Sequence, residues 1–299
     1  MLSVVITAYN EVDNLPRAVA SVKHLADEIV VVDTASTDAT AAVAKKLGCK
    51  VYHHPYSGIV ELARNFSISK AGGDWLLLLD ADEEIPPDLA SHIHQVVSQN
   101  RVDYCRLPRK NVIFGRWIKS DHWWPDYVYR LFKKGAISWQ ASIHSIPLTT
   151  GTGYDFPPEE HLAILHHNYQ TVTQYIDRLN RYTDFQSREL FSSGVRFVWS
   201  DVVTKPFAEF LSQYFSRRGY QEGLHGLVLS LLQSFSQLIV YLKLWQQAEF
   251  PPVPVTPSKL VSVSSAPGRE FWWWYKESRA ASATGLSRWW WQLRRRLPL

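Results

Sequence analysis

The chain has 299 residues, 46% hydrophobic and 20% charged, with 32 Lys/Arg against 28 Asp/Glu for a net charge of +4. That composition excludes disorder throughout, and two lone cysteines, Cys49 and Cys105, exclude a disulfide scaffold. The charge is unevenly placed: residues 251–299 hold eight Lys/Arg against Glu270 and Glu277, so that tail is +6 and the preceding body is −2.

Met1 leads directly into a strand-like run with no basic start or apolar stretch of a secretory signal, so folding is expected from the first residue in a reducing compartment. Ser3–Ala8 reads as a strand and Leu15–Leu25 as a helix. Glu28–Val32 is a fully apolar strand of the buried parallel kind. Ser36-Thr37-Asp38 caps a helix over Ala39–Leu47, which stops at Gly48; Val51–His53 is a further strand. A helix over Ile59–Lys70 ends in Ala71-Gly72-Gly73, before the buried strand Trp75–Leu79 and a helix starting at Pro86. Strands alternating with helices imply right-handed βαβ crossovers, an open parallel sheet, and ligands bound beyond the carboxyl ends of its strands. Tyr104–Pro147 is aromatic and turn-rich, with antiparallel pieces expected. Gly151–Glu160 reads as a loop, Thr171–Gln247 as wholly helical, and Pro251–Pro257 as a linker.

Three strand ends carry the polar chemistry: Thr7-Ala8-Tyr9-Asn10-Glu11, Asp33 through Asp38, and Asp80-Ala81-Asp82-Glu83-Glu84. Carboxylates gathered at one sheet mouth need a neutralising cation, because like charges at close range disfavour ionisation. Oxygen ligands of this kind suit Mg²⁺ or Mn²⁺ bridging to a substrate phosphate.

The segments VVITAYNE, VVDTASTDAT and ELARNFSISKAGGDWLLLLDADEE, in this order and spacing, resemble family 2 glycosyltransferases with the GT-A fold. The resemblance implies an α/β fold, a mainly parallel open sheet with flanking helices followed by a C-terminal helical region. It implies that Thr7, Tyr9, Glu11 and Asp33 hold the base and ribose of a sugar nucleotide. Many members carry two aspartates where this chain has Val32-Asp33, so only Asp33 takes that role. Arg64 either contacts the nucleotide or pairs with Asp33 or Asp38. Asp82 is implied as the principal metal ligand, with Asp80 on ribose or metal. The stretch Trp123 to Phe132, followed by Trp139 and His144, is similar to the branch that glycosylates lipopolysaccharide core. That branch usually shows His-Glu where this chain has His144-Ser145, so Asp126 and His144 are the catalytic-base candidates, with Glu159 and Glu160 behind them. Adjacent His166 and His167 would point to opposite faces of a strand and not share a metal.

Gly223–Leu242 lacks formal charge and approaches membrane-spanning length, but its interior polar side chains favour a helix in the interface or in a bundle. Arg217, Arg218 and Lys243 would then sit at headgroup level. The tail joins its basic residues to Trp272–Trp274 and Trp289–Trp291, which suits an anionic lipid surface better than nucleic acid.

The expected organisation is a nucleotide-sugar-binding catalytic domain at 1–165, a membrane-associating helical region at 166–250, and a linker with basic tail at 251–299. The expected activity is inverting, metal-dependent transfer of a hexose, most simply from a UDP-sugar, to a lipid-linked glycan acceptor. It would act peripherally at the cytoplasmic face of a bacterial inner membrane, without nucleic acid. Transfer to polyprenyl phosphate and a non-catalytic nucleotide-sugar-binding module are the alternatives.

Overall fold

The computed structural model describes residues 1–55, 63–139, 146–284 and 290–291. They form two compact units, Met1–Trp117 with Trp123–Gln170, and Ile118–His122 with Thr171–Leu299.

The first unit opens with β1 (Leu2–Ala8), α1 (Leu15–Val22), β2 (Glu28–Asp33), α2 (Thr40–Lys46), β3 (Lys50–His53), α3 (Arg64–Ser69) and β4 (Trp75–Asp80). Residues 59–62 of the expected third helix lie outside the described residues. It continues with β5 (Glu83–Glu84), α4 (Pro87–Gln99), β6 (Tyr104–Ile113), β7 (Arg116–Trp117) and β8 (Asp126–Lys133). A separate two-stranded pair, β9 (Ile137–Ser138) and β10 (Leu148–Thr149), precedes β11 (Gly153–Asp155) and β12 (Ile164–Tyr169).

The main sheet runs β3-β2-β1-β4-β8-β6-β12-β5, with β7 and β11 also on β6. The first four strands are parallel; β8 is antiparallel to both β4 and β6. The chain moves outward from β1 to β3, then crosses back to lay β4 on the other side of β1. That reversal is a topological switch point, where open sheets of this type leave a crevice.

Strand alternation sends side chains to two cores. Val4, Ile6, Leu77 and Leu79 pack with Leu15, Val19, Leu89 and Ile93 on the α1 and α4 face. Val5, Leu76 and Leu78 pack with Phe132, Ile137 and Trp139 on the other. Between Cys105/Arg106 of β6 and Leu131/Tyr129 of β8 the register slips by one, leaving Arg130 as the extra residue of a bulge. Bulges re-aim side chains, and Arg130 is 2% exposed, the largest fully buried side chain.

The segment expected to be a loop at 151–160 contributes β11, parallel to β6 from Tyr104 to Arg106. Its glycine has a contact role: a Cβ on Gly153 would stand 2.6 Å from the Tyr104 ring, and Asp155 pairs with Arg106. Glycine marks such close approach as often as it marks a turn.

The second unit holds α5 (Val172–Ser192), α6 (Asp201–Leu211), α7 (Leu224–Gln247) and α8 (Pro257–Ser282). Thr171 caps α5 by accepting from Gln174 N–H at 3.1 Å. Among the described residues α7 is the helix long and apolar enough to cross a membrane, but here it packs on both α5 and α6. Gly226 lets the start of α7 lie against the turn at Gly219–Glu222, since a Cβ there would lie 1.8 Å from the Gly219 carbonyl oxygen. Lys243 is not at the end of a free helix: its Nζ donates to Asn180 O (2.7 Å) and Thr183 Oγ1 (2.9 Å) of α5 and pairs with Asp184 (2.6 Å). The expected linker is shorter than 251–257. Pro257 sits in the first turn of α8, where its missing N–H costs nothing, and Thr256 caps the helix by accepting from Lys259 N–H.

Candidate functional site

Register places the polar strand ends side by side. Ala8 is opposite Asp33 and Thr7 is opposite Asp80, so β2, β1 and β4 end together at the switch point. The two loops beyond β1 and β2 are laced to one another. Asn10 N–H donates to Ser36 Oγ (2.9 Å), Thr37 N–H to Asn10 Oδ1 (2.8 Å), and Glu11 N–H to Thr40 Oγ1 (2.8 Å). Asn10 and Ala35 both take positive φ, 55° and 60°; strain of this kind persists where surroundings over-determine it. Asp33 is buried, 3.2 Å from His53 Nδ1. Thr7 shares a hydrogen bond with Ser67 (2.9 Å), and Glu11 accepts from Asn14 Nδ2 at 2.8 Å. Tyr9 is half-buried beside them.

At the β4 end the acidic cluster has brought its own cations. Arg130 donates to both oxygens of Asp80 and, at 2.7 Å, to Glu83. Arg64 stands 3.6 Å from Asp80, with its guanidinium 5.8 Å from the Trp139 ring centroid. Arg109 bridges Glu83 (3.3 Å) and Asp126 (2.6 Å). Three arginines thus face Asp80, Glu83 and Asp126, one cation for each carboxylate. Burial alone pushes the Asp80 carboxyl up, but Arg130 and Arg64 outweigh it and hold it well below the usual carboxylate range. Asp126 follows the same logic, with burial opposed by Arg109 and then Asn111. Burial pulls the Arg130 and Arg109 guanidiniums down, and the facing carboxylates raise both above the ordinary value.

Both oxygens of Asp80 are engaged by Arg130, while Asp82 stands beside His166. His166 Nε2 is 3.5 Å from Asp82 Oδ2. Two ligands each about 2.1 Å from one divalent ion, at cis or tetrahedral angles, stand about 3.0–3.4 Å apart. At 3.5 Å Asp82 and His166 stand just wider than that, a mixed N,O pair that a small inward movement would bring onto one divalent ion. No group of three or more His, Cys, Asp or Glu is poised for a metal among the described residues, so water and substrate oxygens would complete the shell. His167 points away, to Glu84 at 2.5 Å, which also takes Arg17 at 2.8 Å.

The two base candidates fare differently. Asp126 accepts from Arg109 and, at 3.0 Å, from Asn111. A carboxylate so held is a weak proton acceptor, and its geometry is that of an anchor. His144 lies outside the described residues. Glu160 pairs with Lys110, and Glu159 lies 3.5 Å from His161. The residues that sequence reasoning left unassigned are Glu83, Arg109, Asn111, Arg130 and His166. A signal existed for Glu83, Arg130 and His166, which lie in stretches singled out for other reasons, and none for Arg109 and Asn111.

A mainly parallel half-sheet with a switch point, laced loops beyond β1 and β2, and an acidic motif closing β4 is the architecture of a GT-A type glycosyltransferase. Residues 3–162, just over half of the chain, match Glycosyl transferase family 2, and the chain belongs to that family. An uncharacterised glycosyltransferase of Rickettsia typhi is 30% identical over 252 residues, 81% of this chain and 86% of that one. The lipopolysaccharide core biosynthesis glycosyltransferase LpsC of Rhizobium meliloti is 22% identical over 82% of this chain and 92% of that protein. Among solved structures, TarS 1–349 of S. aureus aligns over 86% of this chain and 94% of that one, at 15% identity and a TM-score of 0.44.

Proposed function

We propose that this glycosyltransferase moves a hexose from a nucleoside-diphosphate sugar, a UDP-sugar in the simplest case, to a lipid-linked envelope glycan with inversion. The observation that carries the reading is the juxtaposition of Asp82 and His166 beside the three-arginine cluster at the switch point. Asp33 and the loops after β1 and β2 would receive base and ribose. Arg64, loosely paired to Asp80, is the guanidinium positioned to meet the diphosphate. A divalent ion on Asp82 and His166 would act as Lewis acid for the leaving diphosphate. Arg130 and Arg109 hold the Asp80 and Asp126 carboxyls ionised, so the field at the leaving group is preorganised.

The anchored state of Asp126 favours one alternative acceptor. A polyprenyl phosphate is already an anion and needs no strong protein base, whereas a sugar hydroxyl does. Supplying radiolabelled donor with polyprenyl phosphate or with core-glycan lipid separates the two: label in only one product identifies the acceptor class.

The acceptor's lipid also accounts for α8, whose exposed Val261, Trp272 and Trp273 alternate with Lys259, Arg269 and Lys276. Tryptophan favours the headgroup region, and each basic residue near anionic lipid contributes on the order of 1 kcal/mol. Exposed tryptophans among basic residues support the reading of an enzyme held peripherally at the cytoplasmic face of a bacterial inner membrane. Deleting residues 251–299 is expected to reduce sedimentation with anionic vesicles at least tenfold while sparing donor binding; equal sedimentation rejects the anchor.

The donor reading is tested by thermal shift with UDP-, GDP- and dTDP-sugars, with and without Mn²⁺. A ligand at a hundred times its Kd stabilises the native state by about 2.7 kcal/mol. Stabilisation by one nucleotide sugar that requires Mn²⁺ supports the reading, and none by any of the three rejects it.

A further inference from the structure

Behind Asp82 and His166 lies a row of buried polar contacts that the reaction as described does not use. Asn111, on β6, is fully buried. Its Nδ2 is 3.0 Å from Asp126 Oδ2 and 3.2 Å from the Trp123 carbonyl oxygen. Both neighbours only accept at those atoms, so the amide orientation is forced: the NH₂ faces them and Oδ1 faces the other way. That Oδ1 lies 2.7 Å from His166 Nδ1. An oxygen without hydrogen can only accept, so Nδ1 carries the proton. The lone pair of a neutral His166 is then on Nε2, the atom that stands 3.5 Å from Asp82 Oδ2.

We propose that Asn111 is a positioning residue: clamped by Asp126, it fixes the tautomer and ring orientation of His166 so that Nε2 is presented beside Asp82 as a ligand. Asp126 is held in turn by Arg109, which also binds the fully buried Glu83. Asp126 therefore serves two contacts behind the ion-binding atoms. β12 and β6 run parallel with His166 opposite Asn111, so neighbouring backbones hold the two side chains in register. A ligating histidine is commonly set by the partner of its other nitrogen, and loss of that partner typically costs 10–100-fold in metal affinity. The inference rests on the metal-dependent reading above only for its consequence, not for the tautomer.

The test is made on full-length protein labelled with ¹⁵N-histidine, with His166→Gln assigning the signal. Long-range ¹H–¹⁵N spectra of the metal-free enzyme at pH 8 are expected to show His166 protonated at Nδ1. Asn111→Leu, similar in size but without an acceptor, is expected to abolish that fixed form and to weaken Mn²⁺ binding, read by electron paramagnetic resonance, by about 10–100-fold. Protonation at Nε2 in the unmodified protein overturns the proposal, as does an Asn111→Leu enzyme with unchanged tautomer and Mn²⁺ affinity. If Asn111→Leu does not fold, Asn111→Asp takes its place. It keeps an oxygen facing Nδ1 but gives up the clamp on Asp126, so a retained tautomer supports the oxygen's role, and the tautomer of the unmodified enzyme, Nδ1–H or Nε2–H, decides for or against positioning. An unmodified enzyme that shows the Nδ1–H form but binds no Mn²⁺ overturns the metal reading and leaves the assignment of Asn111 standing.

Discussion

The two ends of the parallel sheet are both acidic, and they use their carboxylates in opposite ways. At the amino end each acid has a local partner set. Asp27 accepts Leu2 N–H at 2.7 Å, Asp74 takes the chain's amino terminus at 3.3 Å, and Glu28 gathers Ser3, Lys50 and Gly72. At the carboxyl end Asp80, Glu83 and Asp126 are joined into one array by shared arginines, and Asp82 faces a histidine. The amino-end acids are met one at a time, by a backbone N–H, the amino terminus or Lys50. The carboxyl-end acids share their arginines, so removing one guanidinium disturbs more than one carboxylate.

Removing the Asp82 carboxylate gives the largest expected effect. Asp82→Ala should lower sugar transfer by about a thousandfold or more, the scale of losing a charge-stabilising group at a leaving group. The variant should still unfold in one cooperative thermal transition, because the apolar cores on both faces of the sheet are untouched. Steady-state kinetics beside calorimetry checks both halves, and unchanged turnover sinks the metal assignment. Arg130→Met attacks the array from the other side. It leaves Asp80 and Glu83 without their shared cation, and breaking a buried pair costs about 3 kcal/mol or more. Urea denaturation should report that loss, with part of it recovered in an Arg130→Met/Glu83→Gln double variant. Full stability in the single variant contradicts the array.

The contrast between the ends also marks what the sequence could show. The β1, β2 and β4 runs are continuous apolar stretches, so buried parallel strands and the positions of Asp33, Asp80 and Asp82 just beyond them were legible. Period and turn residues carry that information locally. Arg130 was not legible as a site residue, because its inward direction comes from a one-residue slip between β6 and β8. Alternation read through that slip assigns the wrong face. His166 was set aside with His167 on the correct ground that neighbours on a strand diverge. What that reasoning lacked was the partner strand: only the β6–β12 register reveals that one of the two meets Asn111 and Asp82. Asp80 and Asp82 look equivalent in the sequence, and three-dimensional pairing with Arg130 and Arg64 separates them. The family resemblance supplied nucleotide binding, but side-chain partners across strands lie beyond any local pattern.

The smallest expected effect comes from the amino end, and it tests whether the two ends are independent. Glu28 is 7% exposed. Burial alone would raise its carboxyl, but Lys50, Ser3 and the Gly72 N–H outweigh burial and hold it at about 2. A carboxyl whose folded-state value is depressed stabilises above its unfolded value, and that contribution is lost as pH falls toward the folded one. Glu28→Gln should therefore cost about 2 kcal/mol at pH 7, with the difference from the unmodified protein shrinking between about pH 5 and pH 2. Turnover per folded molecule should stay the same, because Glu28 lies at the far end of β2 from Asp33. Denaturation at several pH values, with activity assayed where both proteins are folded, checks this. A stability difference that does not shrink on acidification would mean that packing, not charge, holds the amino end. A fall in turnover would mean that the sheet transmits strain between its ends, and the division of labour drawn from their contacts would fail.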